Sequence, residues 1–291
     1  MEDQARGLRQ LAAQFNSKAR TIVITSGKGG VGKTSLAVNL AIALSERGKQ
    51  VAILDGDLGL ANADLLMGVR ATYNIKHLVD GQKRVSEIIV HGPKGVKLIP
   101  GGSGIPEITN MSEIRVKGII EALGVLDQYV DFLIIDTGAG ISKQVLAFAL
   151  AADEILVVTT PEPTSLADAY GIIKVVNNGN PQMPINIVVN QADGIEDGKR
   201  VFERLEIVCQ RFVNKNVGLA GIIPFDYNVS KAIRSQEPIV IGQPTSKAAL
   251  AINRIAADYL NALEKVEINT NQSQNSKGFK GLLERMARLL R

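Results

Sequence analysis

The stretch Gly27-Lys28-Gly29-Gly30-Val31-Gly32-Lys33-Thr34 constrains this chain more than any other. An apolar strand-like run, Thr21–Ser26, leads into it, and a helical pattern leads out from Lys33. That is the strand–loop–helix setting of a phosphate-binding loop. The glycines let backbone N–H groups turn inward around phosphate oxygens with no Cβ in the way. The helix N-terminus adds partial positive charge at the same place. Lys33 is placed to reach the β- and γ-phosphates, and the Thr34 hydroxyl to coordinate Mg²⁺. Gly27 through Thr34, with Ser35 in the next position, are therefore candidate nucleotide-binding residues.

Around this loop, short β-branched runs alternate with segments of helical period. The runs are Ile22–Thr25, Val51–Asp55, Lys97–Ile99, Phe132–Asp136, Ile155–Thr160, Ile185–Asn190 and Gly221–Ile223. Helical patterns lie at Ser35–Arg47, Ser112–Leu126, Leu166–Val176 and Lys247–Leu263. Strands without a polar side, alternating with helices, predict an α/β fold: a mostly parallel sheet covered by helices on both faces. The pattern runs without a linker to about residue 265, which predicts one nucleotide-binding domain over 21–265. A polar tether follows over 266–276, and a separate basic segment over 277–291.

Charge and cysteine usage narrow the function classes. The net charge of +4 is not spread evenly: residues 1–20 carry +2 and residues 277–291 carry +4, leaving −2 on the body. A DNA-coating surface over the fold is disfavoured, and no specific nucleic-acid partner is expected. The single cysteine, Cys209, permits no intramolecular disulfide and no thiolate cluster within one chain. It lies in the helix-period stretch Val201–Val213 and reads as a core residue. His77 and His91 have no neighbours at ligand spacing and read as solvated. No run reaches the ~18 apolar residues of a spanning helix. Residues 1–20 hold no apolar signal core, so a cytoplasmic protein is expected.

Two further strands end in carboxylates. Val51–Leu54 runs into Asp55-Gly56-Asp57, and Phe132-Leu133-Ile134-Ile135 into Asp136-Thr137-Gly138-Ala139-Gly140. Ligands of parallel sheets bind beyond the carboxyl ends of strands, which puts Asp55, Asp57 and Asp136 near the phosphate loop. Asp136 reads as the Mg²⁺ carboxylate, acting through water. Gly138 and Gly140 let the backbone respond to a γ-phosphate. Only one of Asp55 and Asp57 is needed next to the metal, and the other is free to cap a turn.

Lys28, a second lysine at the loop entrance, makes GKGGVGKT a deviant Walker A motif. The chain here resembles the MinD/ParA family of dimerising ATPases, a P-loop NTPase group of the SIMIBI type. The resemblance implies that Lys28 crosses to a partner subunit's nucleotide, where a second ammonium near the γ-phosphate offsets transition-state charge. It implies that Asp57 positions the attacking water beside Mg²⁺. It further implies that Asn190 contacts adenine, and that Pro224 and Asp226 belong to a segment closing over the base. ATP is thus favoured over GTP, although Asn190-Gln191-Ala192-Asp193 approaches the guanine-reading NKxD pattern without its lysine.

The two ends point to a branch of that family. Asp3, Gln4, Ala5, Leu8 and Arg9 match the N-terminal string of the FlhG (YlxH/FleN-like) regulators of flagellar number, as do DLGLANAD at 57–64 and DTGAGI at 136–141. This implies that residues 1–20 engage and stimulate the GTPase FlhF, with flagellar basal-body and C-ring proteins as further candidate partners. Ala5, Leu8, Leu11, Ala12 and Phe15 also form a helical stripe that could pack on the body. At the other end, Phe279, Leu282, Leu283, Met286, Leu289 and Leu290 fall within a helical sector about 120° wide, with Lys280, Arg285, Arg288 and Arg291 outside it. That is the pattern of a helix lying among anionic lipid headgroups. The alternative is a helix packed on the body or in a partner's groove. The expectation is an Mg²⁺-dependent ATPase that forms a homodimer with ATP, attaches reversibly to the inner membrane face and sets flagellar number and place. A MinD-like division-site regulator, a ParA-like DNA-segregation protein and a nucleotide-gated scaffold are the alternatives.

Overall fold

Strand β1 (Arg20–Ser26) sets the layering: Ile22 and Ile24 enter one apolar layer and Val23 the opposite one, all fully buried. The same alternation repeats in β2 (Val51–Gly56), where Val51 and Ile53 share the first layer and Ala52 and Leu54 the second. A strand apolar on both sides must be covered on both faces. The computed structural model describes residues 19–57, 62–102, 123–269, 280–282 and 285–286, and it shows that covering.

Between and after these strands come α1 (Lys33–Ser45), α2 (Ala63–Leu66), α3 (Ile75–Val79) and α4 (Val85–Ile88). Next are β3 (Val90–His91), β4 (Lys97–Pro100), β5 (Phe132–Ala139) and α5 (Lys143–Ala151). Then β6 (Glu154–Thr159), α6 (Pro163–Gly179), β7 (Ile185–Ala192) and α7 (Ile195–Val213) alternate. The last are β8 (Gly218–Pro224), α8 (Tyr227–Ser235), α9 (Ile239–Gly242) and α10 (Lys247–Asn269). The sheet order is β3-β4-β2-β5-β1-β6-β7-β8, parallel except for β3 against β4. Helices α1 and α10 cover one face. Helix α5 covers the middle of the other, and α6 and α7 its β6–β8 end. The α/β class and the largely parallel sheet match the expectation.

The differences have local causes. β3 is two residues long, too short to leave a period in the sequence. Helix α10 continues to Asn269, into the stretch expected to be a tether. His77 is half-buried, not solvated: Nδ1 lies 2.8 Å from the Asn74 side chain and the ring packs edge-on against Tyr73. Cys209 is fully buried, and burial pushes its thiol up to about 11, so it is an inert core group. Most of the expected helix Ser112–Leu126 lies outside the described residues, as does the N-terminal set Asp3, Gln4, Ala5, Leu8 and Arg9. Phe279, Leu283, Leu289 and Leu290 lie outside them too. No helix among the described residues is long and apolar enough to cross a membrane.

Candidate active site

The loop Gly27–Gly32 leaves β1 at its carboxyl end and enters α1 at Lys33. Gly32, the N-cap of α1, has φ +94°, a left-handed conformation that favours glycine. A Cβ there would also stand 2.4 Å from the Asn190 amide nitrogen. With no side chain at the N-cap and no acidic residue in the first turn, the N–H groups of Lys33, Thr34 and Ser35 are left for an anionic ligand.

Three strand ends deliver the charged groups. Asp55 of β2 and Asp136 of β5 are paired in the parallel register, and β1 lies on the other side of β5. Lys33 is buried, and burial pushes its ammonium down while Asp136 and Asp57 pull it back up. Asp136 is 1% exposed, and burial pushes its carboxyl up to about 7. A hydrogen bond with the Thr34 side chain and the charge of Lys33 oppose that rise, while Asp55 and Asp57 reinforce it. Its Oδ1 is buried without a hydrogen-bond partner among the described residues. A Cβ added at Gly138 would lie 3.5 Å from Asp57 Oδ1, so Asp57 stands over the backbone that follows Asp136.

Lys28, by contrast, stands outside this cluster. Its ammonium donates to Glu162, the N-cap residue of α6, and to Thr164 Oγ at 3.2 Å. The loop is seated directly on α6: a Cβ at Gly27 would fall 2.4 Å from Asp168. These α6 contacts had no sequence signal, since their partners lie more than 130 residues from the loop.

Asn190 Nδ2 donates to the Val31 carbonyl at 2.8 Å, and its Oδ1 accepts the Gln191 N–H at 2.9 Å. Asn190 thus clamps the phosphate loop. Pro224 pairs with Ala192 at the end of β8. Asp226 caps α8 through the Asn228 N–H and also accepts the Ala248 N–H, at 2.9 and 3.1 Å. Asp193 is exposed at the turn into α7.

A family model for ParA, described as an NUBPL iron-transfer P-loop NTPase family, matches residues 17–260. The chain is 37% identical over 237 residues to antiactivator FleN of Pseudomonas aeruginosa, covering 81% of this chain and 85% of that one. It is 32% identical over 274 residues to the flagellum site-determining protein YlxH of Helicobacter pylori, covering 93% and 92%. The chain belongs to the ParA/MinD family of P-loop ATPases. A solved relative of the fold is the septum site-determining protein MinD of Pyrococcus horikoshii complexed with Mg-ADP. It superposes with a TM-score of 0.67 at 25% identity, covering 87% of this chain and all of that one.

The ligand of that MinD is Mg-ADP. The residues present fit that ligand. The orphaned Asp136 oxygen and the neighbouring Thr34 hydroxyl offer hard oxygen donors to a divalent cation, and the uncapped α1 terminus and Lys33 offer positive charge to phosphates.

One more placement matters to this ATPase. Leu282 and Met286, assigned from sequence to a lipid-facing stripe, are buried against the body in the cluster that holds Leu126, Ala147, Phe148 and Ala151. The Lys280 N–H donates to Asp127 at 3.0 Å, and Arg285 donates from Nε to the Ala151 carbonyl and pairs with Asp153 at 3.4 Å.

Proposed function

We propose that this ATPase is a nucleotide-gated switch that controls the number and placement of flagella. Its kinship with FleN and YlxH supports the flagellar assignment. Residues 21–265 would form the ATPase body, 1–20 the segment that stimulates the GTPase FlhF, 266–276 the connection and 277–291 the membrane helix.

Within the site, Gly27 to Ser35 hold the phosphates, with Lys33 on the β- and γ-oxygens. Thr34 and Asp136 hold Mg²⁺, which when bound neutralises phosphate charge. Asp57 orients the attacking water. Lys28 leaves Glu162 and enters the site of a second copy, so hydrolysis waits for dimerisation. Asn190, Pro224 and Asp226 shape the base end.

The observation that carries the switch is the burial of Leu282 and Met286 in the single chain. Apolar side chains covered by their own body, as these two are, are held back from lipid. In an ATP dimer two freed stripes would insert together, with an avidity gain of about 10²–10⁴. Flotation with anionic liposomes in ATP and in ADP tests this reading. Flotation in ATP alone is expected; equal flotation in both removes the switch. FlhF GTPase activity with full-length and 1–20-deleted protein tests the flagellar branch, and the absence of any difference would favour a division-site regulator.

A further inference from the structure

Asp55 is 2% exposed, and neither of its oxygens is left over. Oδ1 accepts the N–H of Asp57 at 3.2 Å. Oδ2 accepts those of Asn62 and Ala63 at 3.2 and 3.4 Å. One carboxylate therefore gathers Asp57, two residues downstream, and the start of α2, seven and eight residues downstream. A carboxylate whose lone pairs face three backbone donors is engaged as an anchor and is poorly placed to bind a cation as well.

We infer that Asp55 is a positioning residue for hydrolysis: by tying the Asp57 amide and the start of α2 to the end of β2, it fixes where the Asp57 side chain stands. Asp57 follows Gly56, whose own position is set by the β2–β5 pairing of Gly56 with Thr137. Beyond that pairing, the Asp55 bond is a contact that carries the sheet's geometry to the Asp57 backbone. The consequence is a division of labour between adjacent carboxylates. Asp136 serves the metal, Asp57 the water, and Asp55 neither directly. The inference rests on the assignment of Asp57 to the attacking water.

Asp55→Asn is the test, because it keeps the shape and one acceptor while turning an N–H₂ group toward N–H donors. Asp55→Ala removes both acceptors. The full chain is assayed for ATP turnover, for half-saturation by Mg²⁺ and for ADP binding. Amide hydrogen exchange over 57–63 is followed without nucleotide. Turnover should fall in the order Asp, Asn, Ala, by about tenfold and then about a hundredfold. ADP affinity and Mg²⁺ half-saturation should stay within twofold of wild type, and exchange at Asn62 and Ala63 should rise at least tenfold. Retained ADP binding shows that each variant is folded. Unchanged turnover, unchanged exchange, or a tenfold shift in Mg²⁺ half-saturation would overturn the inference, the last by making Asp55 a metal group. Asp57→Ala in parallel separates the two ideas: wild-type turnover there would refute the assignment of Asp57, while the exchange data would still judge the tie.

Discussion

Lys28 donates its ammonium to the Glu162 carboxylate and, at 3.2 Å, to the Thr164 hydroxyl. Both partners of the ion pair are substantially exposed, 39% and 61%, so the pair is a weak hold that another contact can displace. Exposed pairs contribute about 0.2–1 kcal/mol.

Glu162→Gln should therefore release Lys28 cheaply. The protein concentration giving half-maximal specific ATPase activity is expected to drop by up to about fivefold, with the maximal rate unchanged. Lys28→Ala should lower the maximal rate by about a thousandfold or more, as loss of a finger cation does. ADP binding by that variant should stay intact. A concentration-independent ATPase rate in the wild type would contradict both expectations.

The clamp between Asn190 and the loop gives a second prediction. Asn190→Ala removes a 2.8 Å bond to the Val31 carbonyl, which holds the phosphate loop and not the γ-phosphate itself. ATP and ADP affinities should fall together, by about 1–2 kcal/mol or roughly five- to thirtyfold. Gly32→Ala should do worse, since its Cβ would meet Asn190 at 2.4 Å with φ at +94°. Calorimetric titration with both nucleotides checks this, and loss of ATP binding alone would point to a γ-phosphate role instead.

These contacts mark where sequence reading stops. The phosphate loop was legible because its glycines, lysine and threonine are consecutive and a strand and a helix flank them. Asp136 was legible because four apolar residues fix the strand that ends in it. The convergence of Lys33, Asp57 and Asp136 follows from a general property of parallel sheets. Glu162 was not legible: it follows a strand like any loop residue, and only the packing of α6 on Gly27 brings it to Lys28. Asp55 and Asp57 were told apart only by the family resemblance, because the physical difference lies in which backbone amides fold back onto which carboxylate. The tail was ambiguous for a different reason. An amphipathic stripe specifies an apolar surface to cover it, not whether that surface is lipid or protein.

Asp136 gives the ligand-free protein a pH dependence. Its carboxyl is raised to about 7, well above the ordinary carboxylate value of an unfolded chain, so the folded state binds the extra proton between about pH 4 and 7. Stability from this group is present at the acid end of that window and is lost as pH rises through 7. Asp136→Asn has no charge to bury and should unfold at a higher temperature than wild type at pH 7.5 without nucleotide. The gap should close toward pH 5. Mg²⁺ binding needs the ionised form, so in the wild type it should weaken as pH falls below 7, by up to tenfold per unit. A gap that stays constant with pH would show that Asp136 does not titrate in this range.

The docked tail yields the last prediction. Leu282 and Met286 contribute apolar burial that both the body and a bilayer could supply, so replacing them weakens both states and separates nothing. Arg285 differs. Its guanidinium reaches the Ala151 carbonyl and Asp153, and Asp153 is held in turn by the Thr21 N–H and hydroxyl at 2.9 and 2.7 Å. Those are contacts to the body, and a lipid headgroup offers no equivalent of the Ala151 carbonyl. Arg285→Lys keeps the cation for anionic lipid but loses the planar donor set. It should shift the tail toward release, so that flotation with anionic liposomes in ADP rises several-fold while flotation in ATP stays near wild type. Trypsin should also cut within 277–291 faster in the variant's ADP state. If flotation in ADP is unchanged while cleavage accelerates, docking and lipid binding are not in competition, and the tail is a structural part of the body.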